Sequence, residues 1–381
     1  MRLVVWEWRK LFCLPALWVF VGLCLALNGL LLSSPSAMDR AFFRDTSADA
    51  AALGQRVDQD FLAGLAVLPD TENRAILRQS VTGLENTLEG YDTQELTNFY
   101  QSLMAGDGLA QSWMAWKYDL LQERVDHLAQ TGAALDLYVG PITHDSHQYL
   151  YNTLFRVLLT ESVLLGLLCA LYLVGYEGLK STQSLACVSR TGRRLWKKKT
   201  LAALAAALGL YALLVLLTLG PYLLLWDYSG IWEGSVSSQF NYFVDMLYSR
   251  PFLTWTDFTV GSYFTAMIAA GGGLVAVFTL MGAVAGLLIR HAYGAAIAAA
   301  ALCALLLGVS STLANLGMWS AYLLTTFSPV CLWLAINGWF TELGQIGLVP
   351  WQETVGLALN LVVWGGLTLL ALRRFGRKDV T

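Results

Sequence analysis

Six apolar runs constrain this chain more than anything else in it. They lie near residues 12–32, 154–175, 201–225, 260–289, 293–316 and 354–372. Each approaches or exceeds the ~20 residues that a helix needs to cross a bilayer. Backbone groups find no water in hydrocarbon, so each run must close its own hydrogen bonds as a helix. Composition agrees: 56% of the 381 residues are hydrophobic and 13% are charged, against roughly 25% charged in a soluble domain. The first run is longer than the about 7–15 apolar residues of a signal peptide. Ser33-Ser34-Pro35-Ser36-Ala37 could pass for a cleavage site; an uncleaved span is the favoured expectation.

The flanking charges set an orientation. Arg2, Arg9 and Lys10 precede the first span. The stretch 176–199 carries Lys180, Arg190, Arg193, Arg194, Lys197, Lys198 and Lys199, with Glu177 as its single acid. Arg290 and His291 stand between the fourth and fifth spans, and Arg373, Arg374, Arg377 and Lys378 follow the sixth. Lys and Arg favour the cytoplasmic side, so both termini are expected in the cytoplasm of a multi-pass plasma-membrane protein. The other side is acidic. Segment 34–150 holds seven Arg or Lys against seventeen Asp or Glu, a net of −10. Segment 227–259 sets Asp227, Glu233, Asp245 and Asp257 against Arg250.

Region 318–340 is apolar enough for a seventh span, but that would put the C-terminal cations outside. Pro329 and Asn337-Gly338 interrupt it, and broken helices dipping in from the outer face reconcile the pattern, because irregular backbone is tolerated at depth when protein buries it. Trp6, Trp8, Tyr222, Trp226, Tyr228, Trp319 and Trp351 fall where amphipathic rings meet headgroups. Residues 1–12 mix apolar Leu3, Val4, Trp6 and Trp8 with Arg2, Arg9 and Lys10, as a helix lying on the surface would.

The expected fold is therefore an all-α membrane protein. It has six transmembrane helices, an N-terminal interfacial helix, a helical extracellular domain, and re-entrant external helices before the last span. Its parts are 1–33 (interfacial helix and first span), 34–150 (the external domain) and 151–381 (the other five spans, with a cytoplasmic loop at 176–199). Within 34–150, three sets repeat at helical spacing: Leu53, Val57, Phe61 and Leu65; Ile76, Leu77, Val81, Leu84 and Leu88; and Leu120, Leu121, Val125 and Leu128. They predict a small helical bundle.

Few residues offer chemistry. No Gly-Lys dipeptide occurs, so the chain has no GxxxxGK[ST] phosphate loop of its own. His144-Asp145-Ser146-His147 lacks a fixed third metal ligand and reads as a solvated loop. Ser310 and Ser311 have no base on a neighbouring position, and read as helix packing. Cys13, Cys24, Cys169, Cys187, Cys303 and Cys331 show no zinc spacing, and read as small buried residues. Gly271-Gly272-Gly273 and the pair Gly282 and Gly286 are small residues that let helices approach closely, either within one subunit or between two. Glu161 is the one acid well inside a span. It either meets a polar partner such as Asn28 or forms an intramembrane polar site.

The half-apolar sequence GLKSTQSLACV ahead of the cations suits docking to protein better than solvation. Tyr176-Glu177-Gly178, Ser181-Thr182, Ser189-Arg190-Thr191-Gly192-Arg193 and Lys197-Lys198-Lys199 before an Ala/Leu-rich span together resemble the membrane subunit of type-2 ABC exporters. The likeness of layout covers the whole chain, with Pro329 in the external helices; the specific motif covers some 25 residues. The usual Pro of the loop turn is absent, and Arg190 stands roughly in its place. The resemblance implies a permease subunit with no enzymatic residue and no cofactor, coupled through Glu177, Ser181, Thr182, Arg190, Gly192, Arg193 and Lys199 to two copies of a separate ABC ATPase subunit. It implies pairing as a homodimer or with a sibling permease in the lipid bilayer, and no nucleic acid. Glu177 and Arg193 are expected to hold the loop helix. The alternative from another class is a membrane sensor or immunity-type protein that binds a peptide through its external domain. An intramembrane enzyme is the weakest reading, since convergent His, Asp, Glu or Ser side chains are almost absent from the spans.

Overall fold

A computed structural model describes residues 2–189, 192–244, 249–289, 291–342 and 344–377. Arg190, Thr191, Asp245, Arg290 and Lys378 lie outside them. The chain is mostly helical, and six of its helices are long and apolar enough to cross a membrane.

Helix α1 (Arg2–Phe12) turns at Cys13 into α2 (Pro15–Ser33), where proline suits the first helical position because its missing N–H would be unpaired there anyway. Only a narrow stripe of α2 is buried: Leu17, Val21, Cys24 and Asn28. Val19, Leu23 and Leu30 point away from the protein, as a lipid-facing side requires. Five helices follow: α3 (Ala37–Leu53), α4 (Gln59–Val67), α5 (Glu72–Val81), α6 (Gln94–Leu103) and α7 (Gly108–Thr131). Side chains of Ser36, Asp58, Thr71 and Asp107 accept backbone N–H groups at the starts of α3, α4, α5 and α7, which satisfies donors the helix itself leaves orphaned.

Helix α8 (Thr143–Gln148) passes through a π-helical stretch, Tyr149–Phe155, into α9 (Arg156–Leu179), so that one continuous rod runs from Gly140 to Leu179. After α10 (Gln183–Val188) comes α11 (Leu195–Leu225). Strands β1 (Tyr242–Val244) and β2 (Ser249–Pro251) form an antiparallel hairpin, with Tyr242 opposite Pro251. Helices α12 (Val260–Leu288) and α13 (Ala292–Asn315) are spans. Two short helices, α14 (Trp319–Thr325) and α15 (Pro329–Leu334), precede the last span, α16 (Gln352–Arg377). Region 318–340 is thus broken at Ser328-Pro329, where the Ser328 hydroxyl caps α15.

Helix α9 is the hub, packed on α11 and α12, while α12 also packs on α16. Glycine makes the α9–α12 approach close. A Cβ on Gly282 would lie 3.1 Å from that of Ala170, and one on Gly286 would lie 3.1 Å from Val174. The small-residue face is therefore occupied within this chain. Helix α13 is the least covered span, with only Ala295, Ala299 and Ser310 buried.

Two cores organise the rest. The larger runs through the spans into α3–α5 and residues 137–155. The smaller joins α6 and α7 to Leu253, Trp255, Leu323 and Leu348, so segments far along the chain complete it. Several sequence expectations need correction. The stripe from Leu53 to Leu65 is not one helix: Gly54, at a φ of 102° suited to glycine, ends α3, and only Phe61 and Leu65 belong to α4. The second stripe stops at Val81, and Ile76 faces outward. Of the cysteines expected to be buried, Cys13 is exposed in the turn before α2 and Cys187 and Cys303 are half-buried. His144 and His147 sit on α8 rather than in a solvated loop. His147 is buried against Tyr151 and Phe252, with ring centroids 4.5 and 4.6 Å away.

Candidate functional site at the basic end of the spans

The second half of α1, the start of α11 and the ends of α9 and α16 meet at one end of the bundle. Four charged side chains interlock there. Lys10 Nζ lies 2.7 Å from Glu7 and 3.1 Å from Glu177. Lys199 Nζ lies 3.2 Å from Glu7, pairs with Glu177, and donates to the Leu173 carbonyl at 2.7 Å. Both ammonium groups also stand over the Tyr176 ring, at 4.7 and 5.4 Å from its centroid, where the ring's negative face attracts a cation. Two acids and two bases cancel, so the cluster adds no net charge.

Burial grades the four. Lys199 is fully enclosed, Glu7 and Glu177 nearly so, and Lys10 keeps about a quarter of its side chain in solvent. Burial pulls the Lys10 amine down, but hydrogen bonds and charge from Glu7 and Glu177 more than reverse this, and its pKa ends above the ordinary lysine value. The indole of Trp8 fastens α1 further by donating to the Ala202 carbonyl at 2.9 Å. One knot thereby ties α1 to the end of α9 and the start of α11.

The loop hangs below this knot. Ser181 holds a φ of 53°, and the Thr182 N–H bonds the Glu177 carbonyl at 2.8 Å. Ser181 and Thr182 are exposed. Gly192 turns the chain back at a φ of 52°, with its N–H on the Ser189 hydroxyl at 3.3 Å. The six-residue α10 buries no residue, and Leu179, Leu185 and Val188 are 46%, 74% and 86% exposed. Arg193 donates to the Gly376 carbonyl in the last turn of α16, and the Trp196 ring lies tilted against that of Phe375, 4.5 Å between centroids. The carboxylate of Glu177 and the guanidinium of Arg193 therefore do not hold the loop helix directly. They fasten its two roots, one to α1 and α11, the other to α16. Lys197 and Lys198 are exposed, whereas Lys199 turns inward. Of the expected coupling residues, only Arg190 lies outside the described ones.

Glu7 is the residue the sequence reading passed over. It is the single acid of a basic amphipathic helix, three residues before Lys10, and that isolation was the available signal. Elsewhere, Glu161 meets Asn28, whose amide donates to it at 2.9 Å and to Thr218 at 3.1 Å. Ser310 accepts a hydrogen bond from Thr325 at 2.9 Å, which accounts for it as packing. Among the described residues no group of three His, Cys, Asp or Glu side chains could hold a metal ion.

A second buried ionic cluster stands at the opposite end of the molecule. Lys117 of α7 donates to Glu342 at 2.8 Å and to the carbonyls of Gly344 and Gly347 at 2.7 and 3.1 Å. Arg250 of β2 pairs with Glu342, and the Tyr118 hydroxyl donates to it at 2.9 Å. Burial opposes ionisation of Glu342, yet Arg250 and Lys117 hold its carboxyl at about 2.

No family model matches this chain, and neither a curated protein nor a solved structure matches it.

Proposed function

We propose that this chain is the membrane-spanning permease subunit of an ATP-driven ABC exporter, and that a separate ATPase docks on the loop 176–199. The observation that carries the reading is the exposed apolar set of Leu179, at the end of α9, with Leu185 and Val188 on α10, a loop helix that buries nothing and is suspended between two fastened roots. Solvated loops rarely present such side chains together, and a contiguous apolar surface marks an interaction site. The cationic rim of Lys180, Arg194, Lys197 and Lys198 fits a face turned to the cytoplasm. A push on α10 reaches α9 and α11 through the Glu177–Lys199 pair and α16 through Arg193. Motion of one lever is thus shared among three spans, as alternating access requires. A second membrane subunit, a copy or a sibling, fits the sparsely covered α13. Beside it an open apolar groove of about 820 Å³ is lined by Leu164, Leu168, Tyr293, Ala296 and Trp333 among others.

The test is purification of the native complex from membranes by a tag on this chain, followed by measurement of associated ATP hydrolysis. Wild type carries hydrolysis with it. The double variant Leu185→Asp, Val188→Asp and the charge reversal Arg193→Glu lose at least tenfold of it, while the chain stays monodisperse in detergent. Equal hydrolysis in all three preparations, or none with wild type, refutes the reading.

A further inference from the structure

Glu161 is more than a tolerated polar residue. It sits on α9 and is 7% exposed, and Asn28, on α2, is 1% exposed. Asn28 Nδ2 donates to Glu161 Oε2 at 2.9 Å and to Thr218 Oγ1, on α11, at 3.1 Å. That leaves two enclosed oxygens without a partner: Glu161 Oε1 and Asn28 Oδ1. Both belong to the same hydrogen-bonded pair. A carboxylate in such a place costs many kcal/mol unless a cation or a proton neutralises it. Among the described residues no Lys, Arg or His pairs with it. Arg156, five residues earlier on α9, is turned to the Leu334 carbonyl and to Asn337, at 3.0 and 3.2 Å. The titratable group that reaches Glu161 from α2 is the thiol of Cys24, and α11 presents only Thr218.

A metal cation fits poorly. Hard cations ask for six or more oxygens, and the side chains here supply four, with the Asn28 NH₂ hydrogens pointed into the site. A proton fits well. Placed on Oε1, it turns the carboxylate into an acid whose O–H can donate back to Asn28 Oδ1 while Asn28 Nδ2 continues to donate to Oε2. The two groups then form a closed acid–amide ring, and one proton satisfies both orphaned oxygens. From this geometry we infer that Glu161 is a proton-binding site inside the membrane, occupied at neutral pH and closed by Asn28.

The ring joins α2 to α9, and the Asn28–Thr218 bond extends it to α11. The proton comes from water and returns to it when these helices part enough to hydrate Glu161. Opening of the α2–α9 seam and proton release are therefore one event. The inference does not depend on whether an ATPase docks at the other end.

Infrared difference spectroscopy of the full chain in lipid tests it. At neutral pH, wild type minus Glu161→Gln should show one carboxylic-acid C=O band that shifts in D₂O. The Asn28→Leu variant keeps the acid but breaks the ring, so its band should move to higher frequency. Glu353→Gln, which removes another buried carboxyl with a partnerless oxygen, should leave the band in place. An ionised-carboxylate band lost in Glu161→Gln, or no difference between wild type and that variant, overturns the proton site. A band unmoved by Asn28→Leu overturns the ring. Should Glu161→Gln fail to assemble, Glu161→Asp serves instead: the shorter acid cannot keep the same ring, so its band must shift, and an unshifted band counts against the proposal.

Discussion

The molecule carries two buried ionic clusters at opposite ends, and they are built differently. Around Glu342, the partners come from α7, β2 and the segment before α16. Lys117 and Arg250 keep 1% and 5% of their side chains exposed, and two backbone carbonyls complete the Lys117 shell. Around Glu177, every partner sits near a helix end, Lys10 is partly in solvent, and the loop beside it is uncovered. The first arrangement is a rivet: it pins a distant segment onto the helical domain. The second joins α1, α9 and α11 beside an exposed loop, and under the proposed function it would serve as a hinge pin. The same ion-pair chemistry is enclosed at one end of the molecule and partly open at the other.

Three experiments break or sharpen that contrast. The largest effect belongs to Glu342→Ala. Removing the acid from between two enclosed cations should cost about 3–5 kcal/mol, read as a large fall in thermal midpoint of the purified chain. A loss under ~1 kcal/mol would mean the rivet is not fastened as described. Acid gives a smaller, graded effect. The Glu342 carboxyl is held at about 2, against 4.5 ordinarily. It therefore contributes stability above its unfolded value that is lost as pH falls from about 4.5 towards 2. Near-ultraviolet circular dichroism of the Trp113, Tyr118 and Trp255 region, compared between wild type and Glu342→Gln, should show the wild type losing its advantage across that window. The smallest effect is at the hinge. Lys10→Ala removes a partly solvated cation and leaves Glu7 and Glu177 to Lys199 alone, so it should cost less than Glu342→Ala, about 1–2 kcal/mol. Raising salt from 0.1 to ~1 M shortens screening from about 10 to about 3 Å, which should narrow the Lys10→Ala difference and leave that of Glu342→Ala unchanged. Equal salt sensitivity at both ends would erase the distinction between them.

The spans were legible in the sequence because the bilayer imposes a length and a composition that can be counted along one segment. The expected 260–289 and 293–316 became Val260–Leu288 and Ala292–Asn315, and Pro329 marked the break between α14 and α15. The pairing of Asn28 with Glu161 was also within reach, since each stood out as polar in an apolar helix. Lys117 gave no such sign. It is one more lysine in a polar segment, and its carboxylate partner lies 225 residues away, a separation over which no periodicity carries information. The same holds for Glu7, whose local bond to Lys10 could be anticipated and whose pairing with Lys199 could not. The misread stripe from Leu53 to Leu65 teaches the converse: spacing alone runs straight through Gly54, whose backbone conformation ends the helix.

The unbroken helix from Gly140 to Leu179 spans 40 residues, which at 1.5 Å per residue is a shaft of about 60 Å. Its upper end is gripped by the aromatic nest around His147, its middle bears Glu161, and its foot ends in Glu177. The π-helical turns at Tyr149–Phe155 are the one stretch of this shaft where the i→i−4 ladder gives way to wider hydrogen bonds. One piece of backbone thereby reaches from the aromatic cluster around His147 to the ionic cluster around Glu177.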